Sequence, residues 1–195
     1  LQDTEVQAAQ VHARACLVHI AQEPPRPLEV EIGSGTLLVT PRGHLVVLTA
    51  RHVVEGFTPG AGRPWLVGVT PESGPPRLVD SIPNAIAAVV QGPADRDVAL
   101  VVLAPEHSAT FSPRAIRTDA IASPSDPDPE FVVAAGCPTR LALVKRDGDV
   151  LTVGTITMSY ATFIKGRDAR GRYIVDWSEA VFGDEVRSVP HTGVA

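Results

Sequence analysis

His52 and Asp97 are the residues of this chain whose type and placement suit proton transfer. His52 ends the segment Leu45-Val-Val-Leu-Thr-Ala-Arg-His52, so its imidazole stands just past a short β-branched run of the kind that forms a buried strand. Asp97 directly precedes Val98-Ala-Leu-Val-Val-Leu103, a second such run. A neutral imidazole can take a proton from a hydroxyl nucleophile during attack and return it to a leaving amine. A carboxylate on its other ring nitrogen fixes the tautomer and stabilises the imidazolium that forms. A histidine at a strand end is, taken alone, more often a structural residue satisfied by a nearby carbonyl. Asp95 is as available as Asp97, and either could cap a turn. Asp97 is preferred because a rigid strand lies immediately behind it.

Other chemistries are excluded by the absence of their motifs. There is no Gly-x4-Gly-Lys phosphate loop, no His-Glu-x-x-His zinc helix and no Cys-x-x-Cys pair, so neither a metal nor an organic cofactor is expected. Gly33-Ser34-Gly35 lacks the third glycine of a dinucleotide fingerprint and runs into a strand, which suits a bulge or a close backbone approach. With 22 acidic and 17 basic residues the net charge is −5, the wrong sign for neutralising phosphates, so nucleic acid is not an expected partner. No apolar stretch reaches the roughly 20 residues that cross a bilayer, and residues 1–9 lack the order of a secretory signal. A cytoplasmic protein without a membrane partner is the expectation. Cys16 and Cys137 suit either a bridge or two buried thiols, the thiols being favoured. Lys145 and Lys165 are the only lysines among the 17 basic residues, a composition that suggests a GC-rich bacterial coding sequence.

The elements that must position these residues are mostly strands. Asp3 to Ala15, with a cap at Asp3 or Thr4 and apolar positions at Val6, Ala9 and Ala13, reads as a short amphipathic helix. After it come short runs at 15–21, 28–40, 44–48, 65–69, 85–90, 98–103, 131–135, 150–158 and 173–177, separated by many of the 18 prolines and 16 glycines. Strands so closely spaced imply a sandwich or barrel. Between Ala122 and Glu130, three prolines alternate with acidic residues and leave nothing to bury, so a solvated, mobile linker is expected there. Gly166 and Gly171 bracket a polar insert and mark a hairpin tip. The expected organisation is therefore an all-β fold: an N-terminal helix at 1–14, a first barrel at 15–121, a linker at 122–130 and a second β-rich half at 131–195.

Thr49-Ala50-x-His52-Val53 resembles the histidine signature of the trypsin-like serine peptidases, and Asp97-Val98-Ala99-Leu100 resembles their aspartate motif, in the same order along the chain. Gly33-Ser-Gly ahead of the histidine strand, Gly136-Cys-Pro138 and the strand around Val153-Gly-Thr-Ile-Thr-Met158 are also similar to family segments. The likeness is strongest to the bacterial, disulfide-poor HtrA-type branch and covers about 15–158. It implies a chymotrypsin-like pair of six-stranded antiparallel β-barrels, the second incomplete in this chain, with a cleft between them. It also implies peptide-bond hydrolysis through an acyl-enzyme, with His52 as base, Asp97 as its orienting partner, a protein or peptide as substrate, and a regulatory domain or partner protein.

The family's Gly-x-Ser-Gly, which supplies the nucleophile and, through the serine's own N–H and that of the glycine two residues earlier, the oxyanion hole, does not occur in the 195 residues. Ser188 has no glycine on either flank and reads as an ordinary loop residue. Gly193-Val194-Ala195 presents Gly-x in the right order and ends on alanine, so the expectation is either a replaced nucleophile or a motif beyond Ala195. Two other readings stay open. One is a pseudoprotease that keeps the fold and uses it to hold a partner; the other is a β-barrel interaction module in which the motif matches are accidents.

Overall fold

The computed structural model describes residues 3–22, 31–55, 65–69, 81–83, 85–121, 123, 126–136, 143–147, 150–154, 158–175 and 181–182. An N-terminal helix, α1 (Asp3–Ala15), precedes a chain of short strands. The helix buries Val6 and Gln10, one turn apart on a single face, and leaves Val11 to water.

Six strands build the first half: β1 (Leu17–Gln22), β2 (Glu31–Val39), β3 (Leu45–Thr49), β4 (Trp65–Val69), β5 (Ser81–Pro83) and β6 (Ile86–Gln91), followed by a seventh, β7 (Ala99–Leu103). They pair in the order β5-β4-β1-β2-β3-β7-β6, every ladder antiparallel. The outer strands of this order, β5 and β6, are successive in sequence. The sheet must therefore curl until its two outer strands come within one short connection, which makes this half barrel-like. Period-2 alternation decides what fills it: Ala99, Val101 and Leu103 of β7 are buried, while Leu100 and Val102 lie half outside. With Val18, Ile20, Leu37, Leu45, Val47, Val54, Val67, Ala85 and Phe111 they form one continuous apolar core.

Residues 105–120, where the sequence carries no helical periodicity, hold a four-residue helix, α2 (Ser108–Phe111), flanked by 3-10 turns. Its purpose in packing is Phe111, whose ring is fully buried in the barrel core. A two-residue strand, β8 (Ile116–Arg117), then runs parallel to β2.

In the second half, β9 (Phe131–Gly136) and β12 (Met158–Arg167) pair over six residues. A separate hairpin joins β10 (Leu143–Asp147) to β11 (Val150–Gly154). β13 (Tyr173–Val175) and β14 (Val181–Phe182) complete the sheet around β12. The turn between β12 and β13 falls where Gly166 and Gly171 signalled it, and both adopt positive φ. Helix α1 packs on β9 and β12, so the N-terminal segment lies against the second sheet. At its end the Leu37 amide donates to the Cys16 carbonyl at 2.8 Å, tying the start of β1 to β2.

The acidic stretch ahead of β9 is exposed at positions 123 and 126–130. It is also tethered: Arg167 Nε donates to Asp128 Oδ1 at 2.8 Å, and the same guanidinium donates to the Tyr173 hydroxyl and lies 4.5 Å from the centre of that ring. Among the described residues the architecture is thus mostly antiparallel β, a curled barrel-like sheet and a second sheet with a short N-terminal helix. That arrangement is loosely compatible with a chymotrypsin-like fold. No helix of the described residues is long and apolar enough to cross a membrane.

Candidate active site

The ladder between β3 and β7 brings the histidine and the aspartate together. The strands run antiparallel with Thr49 opposite Ala99, so the end of β3 and the start of β7 share one rim of the sheet. His52 lies three residues past that rim and Asp97 two residues before it. A separation of 45 positions along the chain is thereby reduced to direct contact.

Each side chain has its own support. Beyond Ala50, whose backbone is extended, residues Arg51–Val54 turn into a 3-10 helix closed by the Val53 amide on the Ala50 carbonyl. Val54 is fully buried and pins this turn to the core. The Thr49 hydroxyl donates to the Ser34 carbonyl at 2.8 Å, fixing the strand end from which the turn starts. On the other side, residues 92–98 form a tight loop in which the Gly92 amide donates to the Val98 carbonyl and the Arg96 amide to the Pro93 carbonyl. Asp97 is held at its end, directly before the rigid β7.

His52 Nδ1 lies 2.6 Å from Asp97 Oδ2, and the His52 backbone amide donates to Asp97 Oδ1 at 3.0 Å. Of the two candidate aspartates, Asp97 is the one that meets the imidazole. Its carboxyl is held below the usual carboxylate range, first by the His52 backbone hydrogen bond and then by the His52 side chain, with Arg51's amide adding to the effect. An ionised carboxylate only accepts, so the proton of a neutral His52 sits on Nδ1 and the lone pair on Nε2. Nε2 is therefore available as a base. The side chains are 63% and 56% exposed, so water reaches both and weakens the charge coupling relative to a buried pair.

The structure assigns no place to the remaining candidates. Ser188, Gly193, Val194 and Ala195 lie outside the described residues, as do Cys137 and Pro138 of the Gly-x-Pro segment and 155–157 of the strand expected at 150–158. Cys16 is a buried thiol, raised above its ordinary range by desolvation, with Sγ 4.0 Å from His12 Nε2. Residue types did not single out two supports of the site. Thr49 and Val53 were visible only as parts of the histidine motif; Gly33, read as a point of close backbone approach, was the available signal for Val53. Compared with protein-family models and with curated proteins, the sequence gives no match.

Proposed function

We propose that this chain carries the base and the orienting carboxylate of a trypsin-like serine endopeptidase. The observation behind the proposal is the two-point contact of Asp97 with His52, side chain to side chain and carboxylate to backbone amide. The family's two-barrel architecture, of which the curled first sheet is the coarser counterpart, belongs to the same proposal. In the reaction, His52 Nε2 takes the proton of a serine hydroxyl as its oxygen adds to a peptide carbonyl carbon. The tetrahedral intermediate collapses with cleavage of the C–N bond, and the imidazolium gives its proton to the departing amine nitrogen. Water, activated by the same imidazole, then hydrolyses the acyl ester. Asp97 holds the tautomer throughout and stays ionised. A peptide lying across the rim of β3 and β7 would shield the pair from solvent and strengthen its coupling.

A second reading has its own observation. No Gly-x-Ser-Gly occurs in the 195 residues, so either Ala195 stands in the nucleophile's place or the motif lies beyond it. The second reading is a pseudoprotease whose cleft binds a protein partner without cleaving it. One experiment separates the two: peptide hydrolysis and phosphonate labelling of the natural full-length protein, whose sequence also shows whether a Gly-x-Ser-Gly follows Gly193. Hydrolysis that falls by several orders of magnitude on His52→Ala supports the peptidase. No hydrolysis, with peptide binding retained in His52→Ala, supports the pseudoprotease.

A further inference from the structure

We infer that Gly33 is a positioning residue for His52, acting through Val53. Gly33 lies in β2, opposite Ile20 of β1, and the turn that carries His52 folds back over it. A Cβ placed at Gly33 would stand 2.2 Å from one γ-methyl of Val53, 2.7 Å from the other and 3.0 Å from its Cβ. These are not distances that a small adjustment removes.

The pieces that would have to move are constrained. Val53 is β-branched, so its two methyls leave little rotamer freedom with which to step aside. Strand β2 is fixed between β1 and β3, and Gly35, two residues on, comes so close to β3 that a Cβ there would meet Val47 at 2.5 Å and the Leu48 carbonyl at 2.7 Å. Val54 on the far side of the turn is fully buried and holds it against the core. Displacement caused by a methyl at position 33 therefore falls on the backbone of Val53, which is bonded to His52. The His52 amide and imidazole both reach Asp97, and a shift of the turn lengthens both contacts together. Absence of a side chain at Gly33 is what lets Val53 seat fully and hold the imidazole at hydrogen-bonding distance.

The catalytic meaning of this positioning rests on the peptidase reading, but its test does not need hydrolysis. In the 195-residue chain, the NMR readouts are the low-field resonance expected of a hydrogen-bonded His52 Nδ1–H and the hydrogen exchange of the His52 backbone amide. Gly33→Ala should abolish the low-field resonance and speed exchange of the His52 amide by roughly tenfold or more, as expected for loss of a hydrogen bond to a charged acceptor. Core amides such as those of Val47 and Val101 should keep their protection. Adding Val53→Ala, which removes the two methyls at 2.2 and 2.7 Å and leaves only the 3.0 Å contact with Cβ, should recover both signals at least in part in the double variant. Unchanged signals in Gly33→Ala, or no recovery in the folded double variant, would overturn the inference. If Gly33→Ala does not fold, the double variant decides: a folded protein that shows both His52 signals supports the inference, and a double variant without them overturns it. In a hydrolysing form, Gly33→Ala should lower kcat with little change in KM. Hydrolysis absent from every form would count against the peptidase reading and leave the positioning result standing.

Discussion

Thr49 and Ala99 are Cα partners in the antiparallel ladder of β3 and β7, and the pairing sets the distance between the two chemical groups of the site. The chain between His52 and Asp97, which includes β4, β5 and β6, leaves that fixed point and returns to it.

Replacing Asp97 with asparagine should leave the fold intact and remove the constraint on the imidazole. An amide in place of the carboxylate no longer enforces the Nδ1–H tautomer, so the low-field proton should vanish. In a form with a serine nucleophile, hydrolysis should fall about 10⁴-fold. The unfolding midpoint should barely change, because the pair is exposed. In the unsubstituted chain, the Asp97 carboxyl lies below its ordinary value of 3.8, so the pairing is fully present above that pH and fails only as pH falls below it. A low-field signal that survives in Asp97→Asn would contradict this account.

His19 should make the protein acid-sensitive well before its carboxylates do. It sits in β1 between Ser34 and Gly68, 4% exposed, and burial pushes its pKa from the ordinary 6.5 down to about 4. Between those values the unfolded chain binds a proton that the folded chain refuses. Stability is thus present above pH 6.5 and drains away as pH falls towards 4, by about 3 kcal/mol in all. Urea midpoints measured across this window should show the slope, and His19→Gln should flatten it. An equal slope in both proteins would remove His19 as the cause.

Arg167 should govern how readily the acidic linker is cut. Its guanidinium ties Asp128 to β12 and holds that carboxyl below its usual range. A broad-specificity protease should cleave first within 122–130, and faster in Arg167→Ala. Earlier cleavage elsewhere, or the same rate in the variant, would show that the linker is protected by other contacts.

Phe111→Ala should cost about 3–5 kcal/mol, the range for emptying a fully buried aromatic site. Val90→Ala, at a position 55% exposed, should change thermal unfolding little. Similar losses for the two would mean that α2 does not seal the core.

The sequence disclosed the strands that carry the site because each is a pure apolar run with a polar break at its end. His52 and Asp97 were legible for the same reason: each lies within a few residues of such a break. Strand β5 escaped notice because it has three residues and ends on Pro83, a residue that usually argues against a strand interior. The turns at 105–120 were missed because a four-residue helix has no period to detect. Strand β12 was read only as the tail of the preceding run, its mixed residues Met158-Ser-Tyr-Ala-Thr-Phe following neither alternation nor a helical stripe. The Arg167–Asp128 tie joins positions 39 apart, a pairing that composition cannot reveal.

The short connection from β5 to β6 also bears on how the molecule opens. A sheet with two free ends can lose an outer strand by breaking a single ladder, and such fraying usually sets the lowest-energy route to exchange. Here the outermost strands are consecutive stretches of one segment, β5 bonded to β4 and β6 to β7. Detaching that segment breaks both ladders at once. The rim that carries His52 and Asp97 is consequently spared the gradual unzipping of an open sheet, and its amides should exchange together with those of the core.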